Sequence, residues 1–103
     1  MSIKIGGYDF EGPYTDTSKL RREQGVYNIL DLRTDGRYYS IDVGESEDVR
    51  TRIENHDRSD CWNRNQKGTL TVAVLYTPGM SGDRRRAIES ALREQFSPAC
   101  GVR

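Results

Sequence analysis

From Gly25 to Leu32 the chain reads Gly-Val-Tyr-Asn-Ile-Leu-Asp-Leu, rich in β-branched and large apolar residues, and this predicts a strand. Asp35-Gly36 follows, a pair that tolerates positive φ, so the strand should turn back as a hairpin. In the return strand, Arg37 to Val43, alternation places Tyr39, Ile41 and Val43 on one face and Tyr38, Ser40 and Asp42 on the other. If Thr34 pairs with Arg37, then Tyr27 and Asp42 share a face and lie diagonal to each other. With a longer loop that pairs Leu32 with Arg37, the two stand directly opposite. Any loop of even length keeps them on one face.

Ser46 is a plausible N-cap for a helix running to about His56, with Glu47 and Asp48 at the positive end of its dipole and Val49 and Ile53 as its apolar stripe. Asp57 to Gly68 is polar and holds the only Trp. Thr69 to Thr77 is apolar at most positions and reads as a central strand covered on both faces, ended by Pro78-Gly79. Ser81 or Asp83 opens a second helix carrying Ala87, Ile88, Ala91, Leu92, Gln95 and Phe96, and Pro98 stops it. Upstream, Ile3 to Phe10 suggests a short strand broken by Gly6-Gly7, Gly12 to Ser18 a loop, and Thr17 to Arg22 a short helical turn. The order β-β-α-β-α implies an α+β fold: a small central antiparallel sheet of about three strands flanked by helices. One domain should span residues 1–103.

With 103 residues there is room for one core, and 34% hydrophobic against 31% charged residues makes it a lean one. No apolar run approaches the roughly 18 residues that span a bilayer. Met1 to Phe10 shows no basic region followed by a long apolar stretch. The expectation is a cytoplasmic protein with no membrane partner. Cys61 and Cys100 then read most simply as reduced thiols, with a disulfide between them left open. Sixteen basic and sixteen acidic residues cancel, which argues against tight, sequence-blind coating of nucleic acid but allows a local basic patch.

Short motifs with ordered spacing carry a resemblance. Gly25-Val26-Tyr27 is followed by Asp42-Val43-Gly44 and Glu45-Ser46; Arg52 comes ten residues after Asp42, and His56 four after Arg52. Glu89 precedes Leu92 by three residues and Pro98 by nine. Together these resemble the signatures of the GIY-YIG nucleases over Gly25 to Gly101. Gly25-Val26-Tyr27 stands for the first signature and Asp42-Val43-Gly44 for Tyr-Ile-Gly. Arg52 and His56 stand for the helical arginine and the histidine of many members, and Glu89 for the metal-binding glutamate.

The resemblance implies a metal-dependent endonuclease that hydrolyses DNA phosphodiester bonds. Glu89 would hold one divalent ion, Mg²⁺ or Mn²⁺, that stabilises charge on the scissile phosphate and leaving oxygen. Tyr27 would help prepare the nucleophile, Arg52 would stabilise the transition-state phosphate, and His56 and Asp42 would assist. Nucleic acid is the implied partner, with a protein partner or a homodimer supplying targeting. On a helix, Arg52 and His56 fall beside Val49 and Ile53, and Glu89 borders the arc of Ile88, Leu92 and Phe96, so convergence is possible.

Three positions depart from the family pattern. Asp42 replaces the second tyrosine, Glu45 a common lysine, and Gly101 an asparagine. The alternative reading is therefore a catalytically inactive GIY-YIG-like module that binds nucleic acid or a protein partner. Each residue also has a plain structural reading. Tyr27 could be a core aromatic, Arg52 with His56 a helix edge, and Glu89 a partner of Arg85 or Arg93 at i,i+4 spacing. Arg84-Arg85-Arg86 could contact phosphate or be a solvated face. His56, Cys61 and Cys100 would make a poor, incomplete zinc site. Trp62 could be a core plug or a base-stacking platform.

Overall fold

The computed structural model describes residues 1–101. Its elements are β1 (Ser2–Ile5), β2 (Tyr8–Tyr14), β3 (Gly25–Leu32), β4 (Tyr38–Ser46), α1 (Val49–Glu54), α2 (Ser59–Asn65), β5 (Thr69–Tyr76) and α3 (Gly82–Phe96), with a 3-10 turn at Thr17–Lys19. The fold is α+β, and the sheet has five antiparallel strands in the order β1-β2-β5-β3-β4, where about three were expected. The two extra strands come from the N-terminal segment. Gly6 and Gly7, both at positive φ, form the tip of a β1–β2 hairpin instead of breaking one strand. Gly12-Pro13, expected as loop, stays within β2 because the pairing with β5 shifts register between Glu11 and Tyr14 and absorbs the irregularity.

The β3–β4 hairpin closes through a three-residue loop: the Arg33 amide donates to the Arg37 carbonyl at 3.0 Å and Gly36 takes positive φ. An odd loop alone would put Tyr27 and Asp42 on opposite faces. The register then shifts once more between Ile29 and Leu30, where Ile41 is the extra residue of β4. Loop and bulge together restore even parity, so Tyr27 pairs with Gly44, Ile29 with Asp42, and Tyr27 and Asp42 are diagonal on one face. The bulge also corrects the expected alternation. Ile41 packs with Tyr27 and Ile29, whereas Val43 packs with Val26 and Leu30 on the other side.

The sheet is covered on both faces. On one, Tyr27, Ile29, Ile41, Val72 and Val74 meet Val49 and Ile53 of α1 and Trp62 of α2. On the other, Val26, Leu30, Val43 and Ala73 meet Leu92 of α3 together with Ile5 and Phe10 of the N-terminal hairpin. This explains why β5 is apolar at both parities.

α1 starts later and ends earlier than its sequence suggests. Asp48 is the N-cap, accepting from the Thr51 amide, while the Ser46 hydroxyl accepts from the Asp48 amide at 3.0 Å. The helix stops at Glu54, so His56 lies in the turn that follows. The polar segment beyond it folds as α2, with Trp62 as its buried residue. Ser81 caps α3, and Ser97 at left-handed φ ends it before Pro98. Among the described residues, no helix is long and apolar enough to cross a membrane.

Cys61 and Cys100 are joined in a disulfide, their Cα atoms 6.0 Å apart, correcting the expectation of free thiols. The bond ties α2 to the segment after α3. That segment runs along the outer edge of β4, where the Cys100 amide donates to the Ile41 carbonyl at 2.8 Å.

Candidate functional site

Tyr27 points from β3 across its paired residue, Gly44 of β4, and its hydroxyl lies 2.6 Å from His56 Nε2. A Cβ on residue 44 would overlap the phenol, so glycine there is what lets the ring reach the histidine. The Arg58 amide donates to His56 Nδ1 at 3.0 Å. The neutral ring therefore carries its proton on Nε2 and donates it to the Tyr27 oxygen. Trp62 packs on the other side of the imidazole, with ring centroids 4.4 Å apart. The Arg52 guanidinium lies beside the Tyr27 hydroxyl and is held from the rim by Asp57 at 3.0 Å.

Burial sets the protonation of this pair. It pushes the Tyr27 phenol up to about 12, with Arg52 opposing the rise. It takes His56 down to about 4, helped by the positive charges of Arg52 and Arg58. At neutral pH both rings are uncharged, and Tyr27 accepts a hydrogen bond from His56 Nε2 instead of donating its own proton to it. Arg52 is the more exposed cation of the group, its side chain 37% exposed against 28% for Arg58, which is bonded to Asp42. Its partner Asp57 is 70% exposed, and such rim pairs are weak enough for a phosphate to displace.

Asp42 lies diagonal to Tyr27 and is fully buried. Its carboxylate accepts from Arg58 Nε at 2.8 Å and Nη2 at 3.2 Å, from Trp62 Nε1 at 2.7 Å, and from Arg93 Nη2 at 2.5 Å. Two guanidinium groups and an indole thus use both oxygens. Arg93 belongs to α3, on the other face of the sheet, and reaches Asp42 round the outer edge of β4, bonding the Val43 carbonyl on the way.

All three positions that depart from the GIY-YIG pattern are engaged by arginines of α3. Asp42 is bonded by Arg93. Gly101 offers its carbonyl to Arg93 Nη1 at 2.7 Å, and a Cβ there would collide with the same guanidinium. Glu45 accepts from Arg85 Nε at 2.6 Å. Arg85 and Arg93 are both buried, so Arg85 is not part of a solvated face, although Arg84 and Arg86 are exposed. Glu89 stands one helical turn from each, and its carboxylate lies 3.7 Å from Arg93 Nε. The expected i,i+4 pair is therefore with Arg93.

A single carboxylate can suffice for Mg²⁺ when waters and a substrate phosphate complete the shell. Here that carboxylate is flanked by buried guanidinium groups, and Asp42 has its lone pairs committed. This donor set does not fit a divalent ion. Among the described residues, no three His, Cys, Asp or Glu side chains come together as a metal site. Cys61 and Cys100 are bonded to each other, which removes them from any zinc set with His56.

The structure thus gathers Tyr27, Asp42, Arg52 and His56 on one face, and joins Glu89 to them through Arg93. Trp62 is a core plug, 7% exposed, and also a donor to Asp42. Sequence reasoning missed Arg58 altogether and read Arg93 only as a partner for Glu89. The one signal available was Asp42 itself: a carboxylate on an apolar strand implies buried cations, without saying which ones. No family model matches this chain, nor does any curated protein or solved structure.

Proposed function

We propose that this is a GIY-YIG-like domain that binds the phosphate backbone of nucleic acid through Arg52, which the buried Tyr27–His56 pair positions, without cutting it. The observation that carries this reading is the occupation of Asp42, Glu45 and Gly101 by Arg93 and Arg85. The α3 face bearing Glu89 is built as a pair of buried arginine anchors, whose guanidinium groups already engage the carboxylates a divalent ion would need. What is left at the rim is Arg52, a planar fork suited to two phosphate oxygens, positioned by the buried Tyr27–His56 pair beside it. Zero net charge suits a site that engages few phosphates and takes its targeting from a protein partner or a second copy.

A second reading, a Mg²⁺- or Mn²⁺-dependent endonuclease, is favoured by the juxtaposition of Tyr27, His56 and Arg52. One experiment separates the two. Branched, single-stranded and duplex DNA and single-stranded RNA are titrated by fluorescence anisotropy at rising salt, then incubated with Mg²⁺ or Mn²⁺. The expected result is binding that weakens with salt, is lost in Arg52→Ala and leaves the nucleic acid intact. Cutting that disappears in both Glu89→Ala and Arg52→Ala would establish the nuclease. A folded protein that neither binds nor cuts would sink both readings.

The cytoplasmic location expected from sequence belongs to the same proposal. The Cys61–Cys100 bond argues the other way, because reducing compartments disfavour structural disulfides. Alkylation of thiols after acid quenching of intact cells decides between them: two blocked cysteines place the protein in a reducing compartment.

A further inference from the structure

Asn28 of β3 lies on the face opposite Tyr27, paired with Val43 and Ala73, and is fully buried. The Ser40 hydroxyl donates to its Oδ1 at 2.9 Å. Its Nδ2 is, among the described residues, the one buried side-chain nitrogen or oxygen with no partner. A buried donor without an acceptor is costly, and native proteins keep few.

Asn28 and Ser40 both line a cavity of about 160 Å³. Ile3, Ile5 and Leu30 form apolar wall, Lys4 also lines it with its ammonium 3.6 Å from Asp9, and Tyr38 and Phe96, 40% and 38% exposed, stand at its mouth. Ile5 is in β1 and Tyr38 in β4, the outermost strands at opposite ends of the sheet. The sheet therefore coils until its two ends approach the same cavity, with the last residue of α3 between them. A space of roughly 150 Å³ is large enough for a benzene ring.

We propose that this cavity is a binding site for a small, uncharged, mainly apolar molecule carrying one carbonyl oxygen, which accepts from Asn28 Nδ2 while its body fills the space beneath Tyr38 and Phe96. The site is separate from the Tyr27–His56 corner and does not depend on the function proposed for it. Acceptor chemistry follows from the unpaired donor, neutrality from the walls of Ile3, Ile5 and Leu30 and the pairing of Lys4 with Asp9, and size from the volume.

The test uses acetophenone as the carbonyl probe, ethylbenzene as its shape match without an acceptor, and phenol as a donor, each titrated into the ¹⁵N-labelled chain. The expected result is saturable shifts of the Asn28 side-chain amide with acetophenone, and roughly tenfold weaker binding of ethylbenzene, the loss of one hydrogen bond. Asn28→Leu, which fills space without a donor, should fold and bind the two equally. Absence of saturable shifts with every probe would overturn the site, as would a persistent water cross-peak on the Asn28 amide at saturating acetophenone. Preference for phenol would overturn the carbonyl class, because Oδ1 would then face the cavity. An unchanged acetophenone preference in Asn28→Leu would overturn the role of Asn28.

Discussion

Tyr27 and Gly44 are cross-strand partners, and the absence of a side chain on the second is what gives the phenol of the first its path to His56. The pairing links a backbone register to a hydrogen bond. If the hairpin slipped by one residue, Tyr27 would face a side chain and would lose its position over β4.

Gly44→Ala should therefore destabilise the fold by about 1–3 kcal/mol, the range for forcing a methyl into packed space. Urea unfolding measures it. In a double-mutant cycle with Tyr27→Leu the two losses should be clearly less than additive, because the smaller partner removes the collision. Additive losses would mean that Gly44 is needed for a reason other than the phenol.

Asp42→Ala leaves Arg58 and Arg93 without their shared carboxylate, and breaking a buried pair on one side costs about 3–5 kcal/mol. Unfolding should occur at much lower denaturant. A variant as stable as the wild type would show that the carboxylate is not the hub described, and would return it to the list of reactive groups.

The His56 ring binds fewer protons folded than unfolded, since its folded value is about 4 against 6.5. Its contribution to stability is thus complete above pH 6.5 and is lost as pH falls towards 4, up to about 3 kcal/mol. Urea midpoints should drop across that window, and the drop should be smaller in His56→Gln. Equal slopes in both proteins would contradict the neutral buried ring.

Tyr27 works with the opposite sign. Its folded value of about 12 lies above the ordinary 10, so its contribution is complete below pH 10 and is lost as pH rises towards 12. In a phenolate absorbance titration, Tyr27→Phe should remove amplitude at the alkaline end and leave the amplitude near pH 10 unchanged. Loss of amplitude near pH 10 would show the phenol to be accessible.

Joining residues 39 apart, the Cys61–Cys100 bond should contribute about 3–4 kcal/mol on a chain-entropy account. Reduction should lower the melting temperature, and the Cys61→Ala/Cys100→Ala variant should match the reduced protein. A melting temperature indifferent to reductant would show that the bond does not form in solution.

The sequence by itself determined the local elements and one relationship of long reach. β-branched runs gave β3 and β5, Asp35-Gly36 gave the hairpin, and Ser81 with Pro98 bounded α3. Each signal lies within a few residues of its effect. The shared face of Tyr27 and Asp42 was also legible, although through an even loop, whereas the chain uses an odd loop and a bulge at Ile41. The same bulge moved Val43 to the opposite face from Ile41, because a strand pattern cannot report an inserted residue that pairing alone reveals. Only the tertiary structure decided what Asp42 does. Its partners come from α2, from Arg58 just before it and from α3, 16 to 51 residues away, and α3 reaches it across a sheet edge. It also decided the pairing of Cys61 with Cys100 and the isolation of Asn28 Nδ2. Buried charge, disulfide geometry and unpaired donors depend on which side chains meet after folding, and spacing along the chain does not contain that.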